Sequence, residues 1–233
     1  MFFKQFYDNN LSQASYLVGC QRTGEAIIID PVRDLTKYLE VADSEGFTIT
    51  QAAETHIHAD FASGIRDVAE QLNANVYVSG EGDDELSYRN MPEQTHFVKH
   101  QDIIHVGNIK LEVLHTPGHT PESISFLLTD EGGGSSVPMG LFSGDFIFVG
   151  DIGRPDLLEK SVQMEGTTEI GAKQMYQSIE GVKNLPDYIQ IWPGHGAGSP
   201  CGKALGAIPM STLGYEKINN WAFNETDESK FIE

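Results

Sequence analysis

The sequence has little cysteine, little positive charge and no long apolar run. Cys20 and Cys201 are the 2 cysteines among 233 residues. A chain of this size can bury a sizeable core without disulfides, so both are expected as free thiols. Lys and Arg number 15 against 34 Asp and Glu, a formal net charge of -19 at pH 7. That balance argues against nucleic acid and anionic membrane as partners. It leaves room for a small anionic substrate held by local arginines. No stretch reaches the roughly 20 apolar residues of a membrane-spanning helix. The start, MFFKQFYDNN, lacks the basic and long apolar regions of a secretory signal. A cytoplasmic location is the expectation.

What is present is an ordinary globular mix, 39% apolar and 21% charged. Residues 15–20 and 25–31 read as two strands joined by the turn Gln21-Arg22-Thr23-Gly24, a hairpin at the edge of a sheet. Leu35, Tyr38, Leu39 and Ala42 have helical spacing, and Gly46 closes that helix. Further helices are expected over 61–72 and 168–179. Residues 131–136 read as a flexible hairpin tip. Nothing marks a second domain, so 1–233 reads as one catalytic domain. Its end, about 214–233, is expected as a helix containing Tyr215, Ile218 and Trp221, followed by an acidic tail.

A repeated pattern carries the chemistry. Strand-like runs end in His or Asp followed by small or turn residues: Thr55-His56-Ile57-His58-Ala59-Asp60, Leu114-His115-Thr116-Pro117-Gly118-His119, Ser143-Gly144-Asp145 and Trp192-Pro193-Gly194-His195. Four strands thus deliver metal-type ligands at their C-terminal ends, where sites gather in layered α/β folds. In an extended segment, alternate residues point the same way, so His56, His58 and Asp60 leave on one side. One such histidine would be an ordinary loop residue; the whole set makes coincidence a poor explanation.

In this order and spacing the chain resembles the metallo-β-lactamase superfamily. The family's first motif, His-x-His-x-Asp-His, stands here as His56-Ile57-His58-Ala59-Asp60-Phe61. His119, Asp145 and His195 match its later ligands. The resemblance implies an αββα sandwich: two mixed sheets face to face, helices outside and the metal at one edge. Phe61 departs from the pattern. It replaces a ligand of the second metal in binuclear hydrolases, leaving Asp60, His195 and a shared Asp145 as a poor second set. One metal is expected.

The segments around His56 and His119, and Gly150-Asp151-Ile152-Gly153-Arg154-Pro155-Asp156, are similar to the persulfide dioxygenase branch. The run Ile27-Ile28-Ile29-Asp30-Pro31-Val32 is similar to the dioxygenase module of bacterial dioxygenase–rhodanese fusions. This implies one Fe(II) held by His56, His119 and Asp145, the two-histidine-one-carboxylate set of non-haem iron oxygenases. It implies oxidation of a low-molecular-weight thiol persulfide by O2 to sulfite, with a rhodanese-type sulfurtransferase as a possible partner. Asp60 is expected to orient a metal-bound histidine. His58 and His195 are expected to hydrogen-bond metal-bound water or substrate. A competing reading makes His58 a fourth ligand of zinc in a thioester hydrolase of the glyoxalase II type.

Arg154 reads either as a surface salt bridge or as a clamp on a carboxylate or phosphate of the thiol carrier. Lys203 invites the same substrate-binding role. Cys201 sits in a Gly/Pro-rich loop, with Lys203 near enough to favour a thiolate that carries or accepts sulfur. A third reading follows: a persulfide-carrying or sensing protein acting through Cys201. Cys20 reads as packing. His96, His100 and His105 read as solvent-facing, and His115 as orienting the loop to His119. A homodimer is the commonest oligomer to expect.

Overall fold

Tyr16-Leu17-Val18 and Ile27-Ile28-Ile29 are apolar at every position, the pattern of strands covered on both faces. The computed structural model, which describes residues 1–82, 86–162 and 166–233, builds them as adjacent strands. The elements in chain order are β1 (Phe2–Asp8), β2 (Gln13–Gly19), β3 (Glu25–Ile29), α1 (Thr36–Glu45), β4 (Thr48–Ala53), α2 (Ile65–Leu72), β5 (Asn75–Ser79), β6 (Thr95–Val98), β7 (Ile103–Val106), β8 (Ile109–His115), β9 (Ile124–Asp130), β10 (Gly140–Gly144), α3 (Leu157–Val162), α4 (Thr167–Val182), β11 (Gln190–Pro193), β12 (Ser211–Thr212), α5 (Leu213–Asn219), α6 (Trp221–Asn224) and α7 (Glu228–Ile232).

The strands form two 6-stranded mixed sheets, β1-β2-β3-β4-β5-β6 and β12-β11-β10-β9-β8-β7. In the first, β3 to β6 run parallel. In the second, β10 and β11 run parallel and the other neighbours antiparallel. Alternation sorts the side chains into layers. Tyr16, Val18, Ile27 and Ile29 of the first sheet meet Leu111, Val113, Phe126, Leu128 and Phe142 of the second in the central core. Leu17 and Ile28 point the other way, onto Tyr38 and Ala42 of α1 and Val68 of α2. Leu127, Leu141 and Ile191 point outward onto Met175 and Ile179 of α4 and onto Leu213 and Phe223. Each fully buried large aliphatic side chain contributes roughly 1.5–3 kcal/mol. The result is the expected αββα sandwich.

Several local expectations are corrected. The β2–β3 hairpin is not at the edge, because β1 pairs along the whole of β2. The helix expected over 61–72 begins only at Ile65, so Phe61 lies on the loop before it. Residues 131–133 form a short 3-10 turn capped by the Asp130 side chain. The helix at the end is broken into α5, α6 and α7. Gly46 does close α1, in the left-handed conformation at φ 76°. Leu39 of that helix is exposed, whereas Leu35, Tyr38 and Ala42 are buried.

Candidate metal centre

β4, β8, β10 and β11 lead at their C-terminal ends into His56, His119, Asp145 and His195, and all four side chains are buried in one place. His56, His119 and Asp145 each offer one ligand atom within 4.8 Å of the others. Nε2 of His119 is 3.5 Å and Nε2 of His56 is 3.8 Å from Asp145 Oδ2. That oxygen is buried without a hydrogen-bond partner in the protein. An orphaned buried carboxylate oxygen facing two imidazoles is costly unless a cation completes it. The residues therefore fit a bound metal.

The surrounding hydrogen bonds fix which imidazole nitrogens carry protons. Asp30, directly after β3, accepts the Thr55 backbone N–H at 2.7 Å and the Thr55 hydroxyl proton at 2.8 Å. The Thr55 hydroxyl proton is committed to Asp30, so at 3.0 Å the Thr55 oxygen accepts from His56 Nδ1. His119 Nδ1 donates to the Arg154 carbonyl at 3.2 Å. Both rings thus present an unprotonated Nε2 to Asp145, the orientation a metal ligand requires. Burial holds both imidazoles below the usual histidine range. The Glu122 carboxylate accepts the Ile57 N–H at 2.7 Å and anchors the segment between His56 and His58. Thr55, Asp30, Glu122 and the Arg154 carbonyl were not singled out in the sequence. Only the adjacency of Thr55 to His56, and of Asp30 to an apolar run, hinted at two of them.

His195 is held differently. Its Nδ1 lies 2.7 Å from Asp145 Oδ1 and its Nε2 2.9 Å from Asp60 Oδ2. Carboxylates only accept, so both nitrogens carry protons and the ring is an imidazolium. Burial opposes that charge, but Asp145 and Asp60 raise its pKa to about 10. Burial likewise opposes ionisation of Asp145, yet His195 and the other imidazoles hold its carboxyl well below the ordinary range. Glycine is required on both sides. A Cβ on Gly153 would stand 1.8 Å from the Asp145 carbonyl oxygen, and one on Gly194 would stand 2.7 Å from Asp145 Oδ1.

Four site expectations change. Asp60 orients His195, not a histidine of the triad. His58 turns its Nε2 to within 3.3 Å of Asp30 Oδ1 and packs its ring 4.4 Å from that of Phe61. It belongs to neither ligand cluster, so the fourth-ligand reading finds no support in its placement. Cys201 is not a thiolate favoured by Lys203. Its thiol is buried, and burial together with Asp145 pushes it far up, so it stays protonated. Arg154 pairs in bidentate fashion with Asp156, at 3.0 and 2.8 Å, and its Nη1 donates to the Pro200 carbonyl. That is the salt-bridge reading. Arg154 and Lys203 do share the wall of one cavity of about 320 Å³, with Thr168, Trp221 and Phe231, but no triad residue lines it.

The other sequence readings stand closer to their places. Cys20 is buried in the central core. His115 ties its loop, with Nε2 2.9 Å from the Pro121 carbonyl. Among the described residues no helix is long and apolar enough to cross a membrane.

Residues 8–195 match the metallo-beta-lactamase superfamily. The chain is 75% identical to the metallo-beta-lactamase of Staphylococcus aureus subsp. aureus COL, over all of this chain and 66% of that one, with a TM-score of 0.94. To ETHE1 from Myxococcus xanthus it is 30% identical, over all of this chain and 88% of that one, with a TM-score of 0.78. Among curated proteins, the hydroxyacylglutathione hydrolase of Prochlorococcus marinus (strain MIT 9211) is 27% identical over 75% of this chain. The match spans 62% of that relative, less than two thirds of its length.

Proposed function

Since the chain belongs to the metallo-beta-lactamase superfamily and is a metal-dependent enzyme of it, we propose that it is a mononuclear Fe(II) persulfide dioxygenase. The reaction is the oxidation of the terminal sulfur of a small thiol persulfide. Persulfide, O2 and one water give free thiol, sulfite and two protons.

The observation that carries this reading is the division of Asp145. Oδ2 faces the Nε2 atoms of His56 and His119, while Oδ1 accepts from the His195 imidazolium. Asp145 therefore serves one metal and does not bridge two, and Phe61 stands where a further histidine would be needed. Two imidazoles and one carboxylate on one side suit Fe(II) with open positions. The likeness over the whole chain to ETHE1, a persulfide dioxygenase, supports the same reaction. Iron held there supplies the dioxygen chemistry.

The chain's own residues do the rest. Thr55 and the Arg154 carbonyl keep both Nε2 atoms free of protons. The His195 imidazolium, held between Asp60 and Asp145, fixes the orientation of the Asp145 carboxylate that serves the metal. The Cys201 thiol stays neutral and adds no further negative charge beside Asp145 and Asp60.

Thioester hydrolysis is the second reading, favoured by the hydroxyacylglutathione hydrolase relative. It calls for a metal-bound hydroxide and usually a second metal. The deciding experiment loads the protein anaerobically with Fe(II), adds a small-thiol persulfide, and measures O2 consumed and sulfite formed. Uptake matched by sulfite supports the dioxygenase. Iron-replete protein that consumes no O2 but hydrolyses hydroxyacylglutathione reverses the assignment.

A further inference from the structure

The segment between β10 and α3 gives His119 its acceptor, the Arg154 carbonyl. A buried carboxylate in that segment, Asp151, has no part in the reaction described above. It is 3% exposed. Its Oδ2 accepts the N–H groups of Lys203 and Ala204, both at 2.7 Å, and its Oδ1 accepts Trp221 Nε1 at 3.0 Å. Its carbonyl accepts Asn220 Nδ2 at 2.8 Å. We propose that Asp151 is a positioning residue for the metal: it clips the chain over 201–206 and the start of α6 onto residues 149–154, and through the Arg154 carbonyl it keeps His119 in the orientation that binds iron.

The chemistry of the side chain fits its partners. Backbone amides and an indole N–H can only donate, and an ionised carboxylate accepts on both of its oxygens. Asparagine would turn an NH2 group onto at least one of those donors. Burying a carboxylate is costly unless it is hydrogen-bonded. Here the charge is met by N–H groups from two other parts of the chain, bonds stronger than those between neutral groups.

The two segments run past each other in step. Gly206 N–H donates to the Val149 carbonyl at 2.8 Å, Lys203 and Ala204 reach Asp151, and Arg154 N–H donates to the Cys201 carbonyl at 2.9 Å. The first and last of these clips join backbone to backbone. The middle one depends on a side chain, so a substitution can remove it alone. Beyond the last clip comes the Arg154 carbonyl, 3.2 Å from His119 Nδ1. A segment free to slide carries that oxygen with it, and the imidazole loses the partner that sets its orientation.

The nearby ion pair does a different job. Asp156 holds the Arg154 guanidinium, at 3.0 and 2.8 Å, and makes no printed bond to the Arg154 backbone. Breaking that pair loosens a side chain and leaves the clips in place. Asp151 and Asp156 are therefore two carboxylates on one short segment with separable effects, one on the metal ligand and one on stability.

The test uses the full chain and reads three things: Fe(II) affinity by anaerobic competition with a ferrous chelator, the visible spectrum of Co(II)-loaded protein, and the denaturant midpoint. Asp151→Asn is expected to bind Fe(II) about tenfold more weakly or worse and to change the Co(II) spectrum. Trp221→Phe keeps a ring against Phe231 and removes one donor. It is expected to weaken iron in the same direction by a smaller factor. Asp156→Asn is expected to lower the denaturant midpoint while keeping the parent's iron affinity and Co(II) spectrum. An Asp151→Asn protein with the parent's affinity and spectrum overturns the proposal. So does an Asp156→Asn protein that loses iron as readily as Asp151→Asn. If Asp151→Asn does not fold, Trp221→Phe decides, and the parent's affinity and spectrum in that variant overturn the proposal. No persulfide enters this experiment, so its outcome is independent of which reaction the triad performs.

Discussion

His195 Nδ1 lies 2.7 Å from Asp145 Oδ1, so the one carboxylate of the metal triad shows one oxygen to the metal position and the other to a buried imidazolium. A ligand held in this way has its orientation set before any metal arrives. His195→Ala should keep the triad but weaken iron binding by roughly 10–100-fold. His119→Ala removes a ligand and should leave the protein without iron and without O2 uptake. Metal analysis of the two variants side by side checks the order; equal iron loss in both would make His195 a ligand.

Thr55 joins Asp30 to His56 through its hydroxyl. Thr55→Val keeps the shape and removes the oxygen that accepts from His56 Nδ1. Asp30 also loses a donor. Iron affinity should fall by about 10–100-fold, measured by competition with a chelator. Thr55→Ser, which keeps the hydroxyl, should restore most of it.

Gly194 leaves no room for a side chain, since a Cβ there would be 2.7 Å from Asp145 Oδ1 and 3.1 Å from the Gly144 carbonyl carbon. Gly194→Ala should cost about 1–3 kcal/mol of stability through overpacking. It should also depress iron content. Denaturant titration and metal analysis read the two effects separately.

Phe61 packs on the His58 ring. Phe61→His returns an imidazole to the loop before α2. If its absence is what keeps hydrolysis out, the zinc-loaded variant should gain hydroxyacylglutathione hydrolysis over the parent. A variant that hydrolyses nothing would mean that Phe61 is not what separates the two reactions.

Asp156 is held below the ordinary carboxylate range by Arg154 first and also by Lys160, against a smaller opposing effect of burial. A carboxyl whose folded pKa is depressed stabilises the fold fully above its unfolded value, near 4. That contribution is lost as pH falls through the lower folded value. Asp156→Asn should therefore be less stable than the parent at pH 7, and the gap should close in strong acid. Thermal melts across that range check the sign.

Much of this was legible in the sequence. Period-two and all-apolar runs located β2, β3, β4, β8, β10 and β11, because a strand buried on both faces has little alternative composition. The His and Asp residues closing four of those runs announced a metal centre before any fold was known. Phe61 entered the expectation of one metal only through the resemblance to the family motif. β1 escaped notice because an edge strand is only half covered and its composition is correspondingly mixed, and Phe61–Ser63 looked helical although the helix starts at Ile65.

What only the tertiary structure decided was the pairing of groups far apart in the chain. Sequence spacing sends His56, His58 and Asp60 out on one side, yet the fold turns His56 to Asp145, His58 to Asp30 and Asp60 to His195. The sequence left Arg154 open between a salt bridge and a substrate clamp, and the fold puts Asp156 in its fork. Cys201 looked like a thiolate beside Lys203 until the loop buried it against two carboxylates. Charge state and ligand choice depend on burial and on the sign of the nearest neighbours within a few ångströms. Those neighbours come from different strands, so no local pattern in the sequence encodes them.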